Sequence, residues 1–329
     1  MYYIDLHNDL ATIVAKSGRS LKHIFNNYVA QDVKVMVCAI FINNKDVDLA
    51  LAYQNAKYII KKMYDKINKS DNFVVAHNYE DIIKAKAQFK TAIIFSLEGG
   101  EPIENDESAL QEFYDLGVKI VGLTWSRKNS LATGSVFSQC NSFNIEDNGG
   151  ITQKGKQVLK NMEKLNMILD LSHINDIGFL QALDNFGGSV FCSHSNARKL
   201  CNIQRNLTDE QIIKIKRRNG IIGINGVSML LSKDCNVGLR SFIEQYKYIS
   251  AIIGRDSVAL GLDISNERKI NQTKSVYNID GVNVEVFDVI YNYGVLNKVE
   301  EEMKKVGISQ NDIELFFYKN AENFLAKCF

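Results

Sequence analysis

The chain is poor in several things that would point to a specialised role. It has 1 proline and 1 tryptophan in 329 residues. It also has almost no net charge: 39 basic against 38 acidic residues leave +1. That balance gives no electrostatic footprint for nucleic acid or an anionic membrane surface, so neither is expected as a partner. No apolar run approaches the ~18 residues of a membrane span. No leader-like segment precedes Tyr2-Tyr3-Ile4-Asp5-Leu6, where a strand pattern begins at once, so a cytoplasmic protein is expected. The six cysteines (Cys38, Cys140, Cys192, Cys201, Cys235 and Cys328) form no C-x-x-C pair and read as free thiols in a reducing compartment. Low-complexity linkers and short repeats are absent too. What remains is ordinary globular composition, 46% hydrophobic and 23% charged. A chain of this length buries roughly 75% of its unfolded surface and needs no staple to fold. One domain covering residues 1–329 is expected.

The most informative stretch is Met167-Ile-Leu-Asp-Leu-Ser-His173 with its partner Ser189-Val-Phe-Cys-Ser-His194. Each is a short apolar run that ends in Ser-His, which reads as a buried strand delivering a histidine at its C-terminal end. A helix-like stretch from Asp176 to Phe186 and a Gly187-Gly188 turn lie between them. Strand, helix, strand implies parallel pairing, with both imidazoles on one sheet edge.

The same alternation runs along the whole chain. Strand patterns occur at Tyr2–His7, Val33–Ile42, Thr91–Leu97 and Val118–Trp125, then at the histidine pair, Gly220–Asn225 and Ser257–Ile264. A minor strand and helix are inserted at Phe73–Ala76 and Tyr79–Ala87. Helices are expected at Leu10–Tyr28, Asp46–Lys69, Asp106–Leu116, Thr152–Leu165, Asn206–Asn219 and Leu239–Ile253, and roughly at Asn283–Val306 and Ser309–Ala326. Thr152 is a plausible N-cap, and Thr208-Asp209-Glu210-Gln211 has the form of a capping box. Eight strand–helix units imply an α/β fold, a (β/α)8 TIM-like barrel with C-terminal helices, whose sites sit at the C-terminal strand ends.

Those ends carry His7 and Asp9, Glu98, Trp125, His173, His194 and Asp263. Imidazole with carboxylate suits zinc or a similar divalent ion. His7 and Asp9 are alternate residues and can share one ion. His173 and His194 can hold a second, and Glu98 lies where one carboxylate can bridge the two. Two ions ~3.5–4 Å apart acidify a hydroxide and polarise a carbonyl or phosphoryl oxygen. Asp263 fits neither ligand pair and can carry the proton to a leaving amine. Each residue has a duller explanation: Asp9 as a helix cap, Glu98 as a turn carboxylate, Asp263 as a loop acid. Those explanations must all hold at once, at four strand ends, to remove the site. His23 and His77 read as ordinary surface or loop histidines.

In order and spacing these segments resemble the renal (membrane) dipeptidase family of metallopeptidases, within the amidohydrolase-like barrels. The likeness is carried by Asp5-Leu6-His7-Asn8-Asp9-Leu10, Ser96-Leu97-Glu98-Gly99-Gly100, Leu123-Thr124-Trp125, Asp170-Leu171-Ser172-His173, Ser193-His194-Ser195, Arg205-Asn206-Leu207-Thr208-Asp209 and Gly261-Leu262-Asp263. The resemblance implies a zinc-dependent dipeptidase with two divalent ions and a metal-bridged hydroxide. His7, Asp9 and Glu98 would hold one ion; Glu98, His173 and His194 the other. Glu98 as bridge and Asp263 as proton shuttle would be the catalytic pair. Arg205 would grip the free carboxylate of a dipeptide, with Trp125 and Asp263 also meeting the substrate. Tolerance for a D-residue on the C-terminal side, and a homodimer, are further implications.

The chain departs from the family pattern in three places. Trp125 stands where many members have a histidine, Glu101 where some have one, and Ser265-Asn266 replaces an Asp-Gly. All five ligand positions are kept. Rival readings are another binuclear barrel hydrolase, such as a nuclease or lactonase, and a non-catalytic binding protein on the same barrel. The first usually opens H-x-H, whereas this chain opens H-x-D.

Overall fold

The computed structural model describes residues 1–18, 20–21, 32–43, 48–106, 108–137, 149–232, 237–265, 275–279 and 282–329. All eight expected strands are present: β1 (Tyr3–Asn8), β2 (Val33–Phe41), β4 (Thr91–Glu98), β5 (Val118–Gly122), β6 (Ile168–Asp170), β7 (Val190–Phe191), β8 (Ile222–Ile224) and β9 (Val258–Leu260), with the inserted β3 (Phe73–Val75). They pair in the order β7-β6-β5-β4-β2-β1-β9-β8, all parallel. The two ends of that order then meet. Cys192 bridges Ile222; Cys192 N donates to Ile221 O at 3.0 Å and Gly223 N to Cys192 O at 2.8 Å. The result is a (β/α)8-type barrel. First and last strands are neighbours in it, Asp5 pairing with Leu260. β3 lies beside the start of β4 at Thr91–Ile93, leaving Phe95–Glu98 to pair with β5.

The period-two pleat decides what faces inward. On β2, Val35 and Val37 join the interior cluster, while Met36, Cys38 and Ile40 pack outward under the helices. On β4, Ala92 and Ile94 face in and Ile93, Phe95 and Leu97 face out. Continuing that row puts Ser96 and Glu98 inside near the C-terminal end. The other barrel end is plugged by Ala321, Phe324 and Leu325 of the helix Asn320–Cys328, packed with Ile4, Ile168 and Phe191. One end of the barrel is therefore apolar and sealed, and the other is polar. Each fully buried aliphatic or aromatic side chain of the plug contributes about 1.5–3 kcal/mol.

Helix entries follow the sequence signals. Thr152 accepts from Gly155 N, and Thr208 and Gln211 form the reciprocal capping box at the helix Asp209–Arg217. Several boundaries differ. The first helix runs only from Leu10 to Ser17, stopped by Gly18 at φ 63°; the expected continuation lies mostly outside the described residues. The second begins at Ala52, after a short 3-10 turn at Leu49–Leu51. The helix expected from Asn283 starts at Leu296 instead. Val282-Asn-Val-Glu-Val286 alternates at period two, and it forms strand β11, antiparallel to β10 (Ser275–Ile279). Four cysteines are described and all are free thiols, Cys38, Cys192, Cys201 and Cys328; Cys140, Cys235 and His23 lie outside the described residues.

Candidate metal centre

β1, β4, β6 and β7 deliver their terminal side chains to one buried cluster. Glu98 Oε1 lies 2.9 Å from His173 Nε2, 3.4 Å from His194 Nε2 and 3.6 Å from His7 Nε2. The Nε2 atoms of His173 and His194 are 2.9 Å apart, and the His7 and His194 rings stack with centroids at 3.6 Å. Two ligand groups form with Glu98 common to both: His7, Asp9 and Glu98, and Glu98, His173 and His194. These are the groupings expected for two ions. Asp9 occupies the N-cap position of the helix Leu10–Ser17, but its side chain makes no cap hydrogen bond; Asn8 Oδ1 takes the Leu10 N–H at 2.8 Å.

Electrostatics agree with a cation in this place. Burial, then the charges of Asp9 and Asp263, push the Glu98 carboxyl well above its usual range, with Arg205 opposing. Burial holds His173 and His194 well below the ordinary imidazole value, and lowers His7. Without a cation these shifts disfavour the charged form of every group: burial and neighbouring carboxylates act against an ionised Glu98, and burial acts against charged imidazoles. Neutral imidazole is also the form that ligates metal. His7 Nε2 is buried with no hydrogen-bond partner, although it points at the cluster. A buried polar atom left this way costs about 1–3 kcal/mol. The donor set therefore fits divalent ions: His7, Asp9, Glu98, His173 and His194 would hold them.

Around the cluster sits a cavity of about 190 Å³ that contains Asp9, Glu98, Trp125, His173, Arg205 and Asp263 among its walls. Every expected site residue thus reaches one mouth, Glu98 and His173 lining it and His7 and His194 lying buried beneath. Asp263 joins none of the ligand groups. It adopts φ 55°, a costly backbone for a non-glycine residue, and its N–H is fixed by His7 O at 3.1 Å. Arg205 is buried rather than a surface residue, 2% exposed. It donates from Nε to His173 Nδ1 (3.1 Å), from Nη1 to Ser195 Oγ (3.2 Å) and from Nη2 to His194 O (2.9 Å). One N–H remains on each terminal nitrogen.

Trp125 forms an aromatic wall with Phe41 and Phe137, at centroid distances of 5.1 and 5.6 Å. Arg127 lies over both Trp125 and Phe41 and pairs with the buried Glu101 at 2.7 Å. The Glu101 departure therefore supports the wall and stays out of the ligand set. Gly99, at φ 105°, is needed here, since a Cβ would meet Glu101 Oε2 at 2.4 Å. Ser265 donates its N–H to Asp288 Oδ2 at 2.9 Å and lines the cavity.

Some contributors were not foreseen from sequence. Asn225 Nδ2 donates to Asp263 Oδ2 at 3.0 Å. Asn225 closes the run Gly220–Asn225, so the polar-strand-end signal that found the others applied to it as well. Ser126 Oγ lies 2.9 Å from His173 Nδ1, and Ser135 N donates to His173 O at 2.7 Å. The long loop after β5 thus braces His173. His77 is remote from the mouth, against the Tyr64 hydroxyl at 3.3 Å.

A closed parallel barrel whose mouth gathers three imidazoles around a shared carboxylate has the arrangement of a barrel metal site. More narrowly, the family model described as membrane dipeptidase (peptidase family M19) matches residues 1–280, and the chain belongs to that family. An uncharacterized protein in the PQQ-III 3′ region of Acinetobacter calcoaceticus is 28% identical over 205 residues, 61% of each chain. Dipeptidase tcpJ of Claviceps purpurea is 27% identical over 255 residues, 74% of this chain and 58% of that one. The chain thus spans roughly three-fifths of the length of these two relatives. Among solved structures, a metallo peptidase from Rhodobacter sphaeroides, liganded with a phosphinate mimic of L-Ala-D-Ala, superposes with a TM-score of 0.84 at 19% identity. That match covers 100% of this chain and 99% of the other. The dipeptidase AC, a metallo peptidase, gives 0.82 at 20% identity, covering 100% and 98%. At this level of identity the two structures speak for the fold. No helix among the described residues is long and apolar enough to cross a membrane.

Proposed function

We propose that residues 1–329 form one catalytic domain that hydrolyses dipeptides with two zinc ions at the barrel mouth. The carrying observation is the single Glu98 oxygen within 2.9–3.6 Å of three histidine Nε2 atoms. His7, Asp9 and Glu98 would hold one ion, and Glu98, His173 and His194 the other. Bound there, the ions supply Lewis acidity and lower the pKa of water.

The chain's own residues do the rest. Arg205 presents its remaining N–H pair to the free carboxylate of the substrate, a planar fork-to-fork contact. Asp263, braced by Asn225, accepts a proton at its carboxylate and returns it to the departing amine. Trp125, Phe41 and Phe137 keep water off one side of the mouth. The cavity of about 190 Å³ suits a short peptide better than a polypeptide. The relatives named for dipeptidase activity, and the neighbour bound to an L-Ala-D-Ala mimic, support this substrate class. Acceptance of a D-residue on the C-terminal side is part of the proposal.

The test is to prepare metal-free protein, restore zinc, count bound ions and assay L-L and L-D dipeptides. Two ions per chain with turnover, both impaired in Glu98→Gln, is the expected result. Two ions without cleavage of any dipeptide would move the reading to another amide substrate or to a binding role. Failure to bind zinc would overturn it.

A further inference from the structure

Below the mouth lies a polar layer that the reading above does not use. On β6 and β7 the inward rows end in Asp170, Ser172 and Ser193, directly beneath the imidazoles. Ser193 Oγ is 2.5 Å from Asp170 Oδ2, 2.6 Å from His194 Nδ1 and 3.4 Å from His7 Nδ1. Asp170 Oδ1 meanwhile accepts from Ser172 N (3.0 Å), Ser172 Oγ (2.7 Å) and Ser193 N (3.0 Å). Ser193 is 1% exposed and Ser172 3%.

Counting protons fixes the direction of these bonds. Ser172 Oγ donates to Asp170 Oδ1 and Ser193 Oγ to Asp170 Oδ2, so each serine hydroxyl spends its single proton on Asp170. The Ser193 oxygen is then left with lone pairs only. It can meet His194 and His7 only as an acceptor, which requires the proton on Nδ1 of each ring. The Nε2 atoms of His7 and His194 are thereby left unprotonated toward Glu98. His173, whose Nδ1 accepts from Arg205, instead carries its proton on Nε2 against His194 Nε2 and would give it up on binding an ion.

We propose that Ser193, held by Asp170, is a positioning residue shared by both halves of the metal centre. It sets the tautomer and ring angle of one histidine from each ligand group. His7 belongs to the group with Asp9, and His194 to the group with His173. Glu98 thus joins the two halves from above and the Ser193 hydroxyl joins them from below. Loss of a support behind a metal-bound histidine typically weakens affinity ~10- to 100-fold. Because this hydroxyl serves both rings, its loss acts on both ions.

Close packing holds Ser193 in place. A Cβ at Gly261 would lie 1.8 Å from Ser193 O, and one at Gly223 2.0 Å from it. Both strands must come that near for the hydroxyl to reach two rings. Ser172 is the natural comparison, since it also donates to Asp170 but touches no imidazole; its oxygen lies 3.1 Å from Ser193 Oγ and receives the backbone N–H of His194 at 3.1 Å. A competing explanation exists, because His7, Asp170 and His194 also lie close enough to form a third ligand group.

This inference rests on the proposed metal site, and the experiment separates the two. Zinc would be titrated into metal-free wild type, Ser193→Ala, Ser172→Ala and Asp170→Asn against a chromophoric chelator, with circular dichroism as a check on folding. Two ions in the wild type are expected, with affinity at both weakened ~10- to 100-fold in Ser193→Ala and near wild type in Ser172→Ala. Asp170→Asn provides a second route should Ser193→Ala fail to fold. It turns an acceptor into a donor, redirects the Ser193 proton toward the rings, and should weaken both ions as well. Folded Ser193→Ala with two wild-type affinities would overturn the proposal while leaving the metal site standing. Three ions in the wild type, falling to two in Asp170→Asn, would assign Asp170 as a ligand and overturn it. A wild type that binds no zinc would remove the site and the proposal together.

Discussion

Asn225 and Asp263 sit on adjacent strand ends, and the Asn225 side-chain amide donates to Asp263 Oδ2 at 3.0 Å. Asn225 is itself held, its N–H taken by Asn196 Oδ1 at 3.2 Å and its Oδ1 receiving Val227 N at 2.7 Å. Asp263 is thus aimed from two sides, by this amide and by its unusual backbone. Asn225→Ala should lower kcat about 10- to 100-fold, a fraction of what a proton-transfer group supplies, with KM little changed and both ions retained. Steady-state kinetics with metal analysis checks this; a change confined to KM would put Asn225 in substrate binding instead.

Arg205→Lys should cost about 100-fold in kcat/KM on dipeptides with a free carboxylate, as expected when a bidentate charged contact becomes a single point charge. Wild-type enzyme given the same dipeptide as its C-terminal amide should show a loss of similar size, and the lysine variant little further loss. If the variant is impaired equally on both substrates, Arg205 acts through His173 and His194 and not through the carboxylate.

Trp125 is half-buried against Phe41, Phe137 and His173. Trp125→Ala should lower kcat/KM for dipeptides with a large apolar side chain by roughly 10-fold more than for Ala-Ala, as one aromatic contact surface is lost. A uniform loss across the panel would point to His173 orientation as its main role.

Asp5 gives a stability prediction. It is fully buried and accepts from His7 N, Leu262 N and the Tyr293 hydroxyl, yet burial still pushes its carboxyl from 3.8 up to about 6. The folded state therefore binds this proton more tightly than the unfolded chain. The contribution, on the order of 3 kcal/mol, is fully present below pH 3.8 and is lost as pH rises through about 6. Asp5→Asn keeps the size and stays neutral. Urea unfolding of metal-free protein across this range should show the decline in wild type and its absence in the variant; parallel profiles would sink the assignment.

Much of the barrel was legible because parallel, doubly covered strands are written as continuous apolar runs. Val33–Phe41 and Thr91–Glu98 are examples, and Glu98, the polar last residue of the second, marks the mouth. The five proposed ligand residues stand out because each lies at or just past the end of such a run. Asp170 and Ser193 were harder to read, since an Asp three places or a Ser one place before a histidine has no period of its own. Their role depends on β6 and β7 lying side by side. Arg205 was expected only through the family resemblance, because an arginine's type does not announce burial; its contacts with Ser195 and His194 bury it. The β10–β11 hairpin was missed although Val282–Val286 alternates cleanly, because the helix-like residues beyond it drew the boundary forward.

The adjacency of β1 and β9 bears on how the protein is made. A ribosome has delivered His7, Asp9, Glu98, His173 and His194 once residue 194 is synthesised. The second edge of β1 stays unpaired until Leu260 emerges, and Asp263 follows directly. During that interval the nascent chain carries the three mouth histidines on an open, unpaired sheet, the kind of surface that chaperones shield. Asp263, the proton carrier of the proposed mechanism, arrives with the strand that shuts the wall. Under that mechanism partly made chains turn nothing over, and turnover in a translation mixture would time the completion of the barrel.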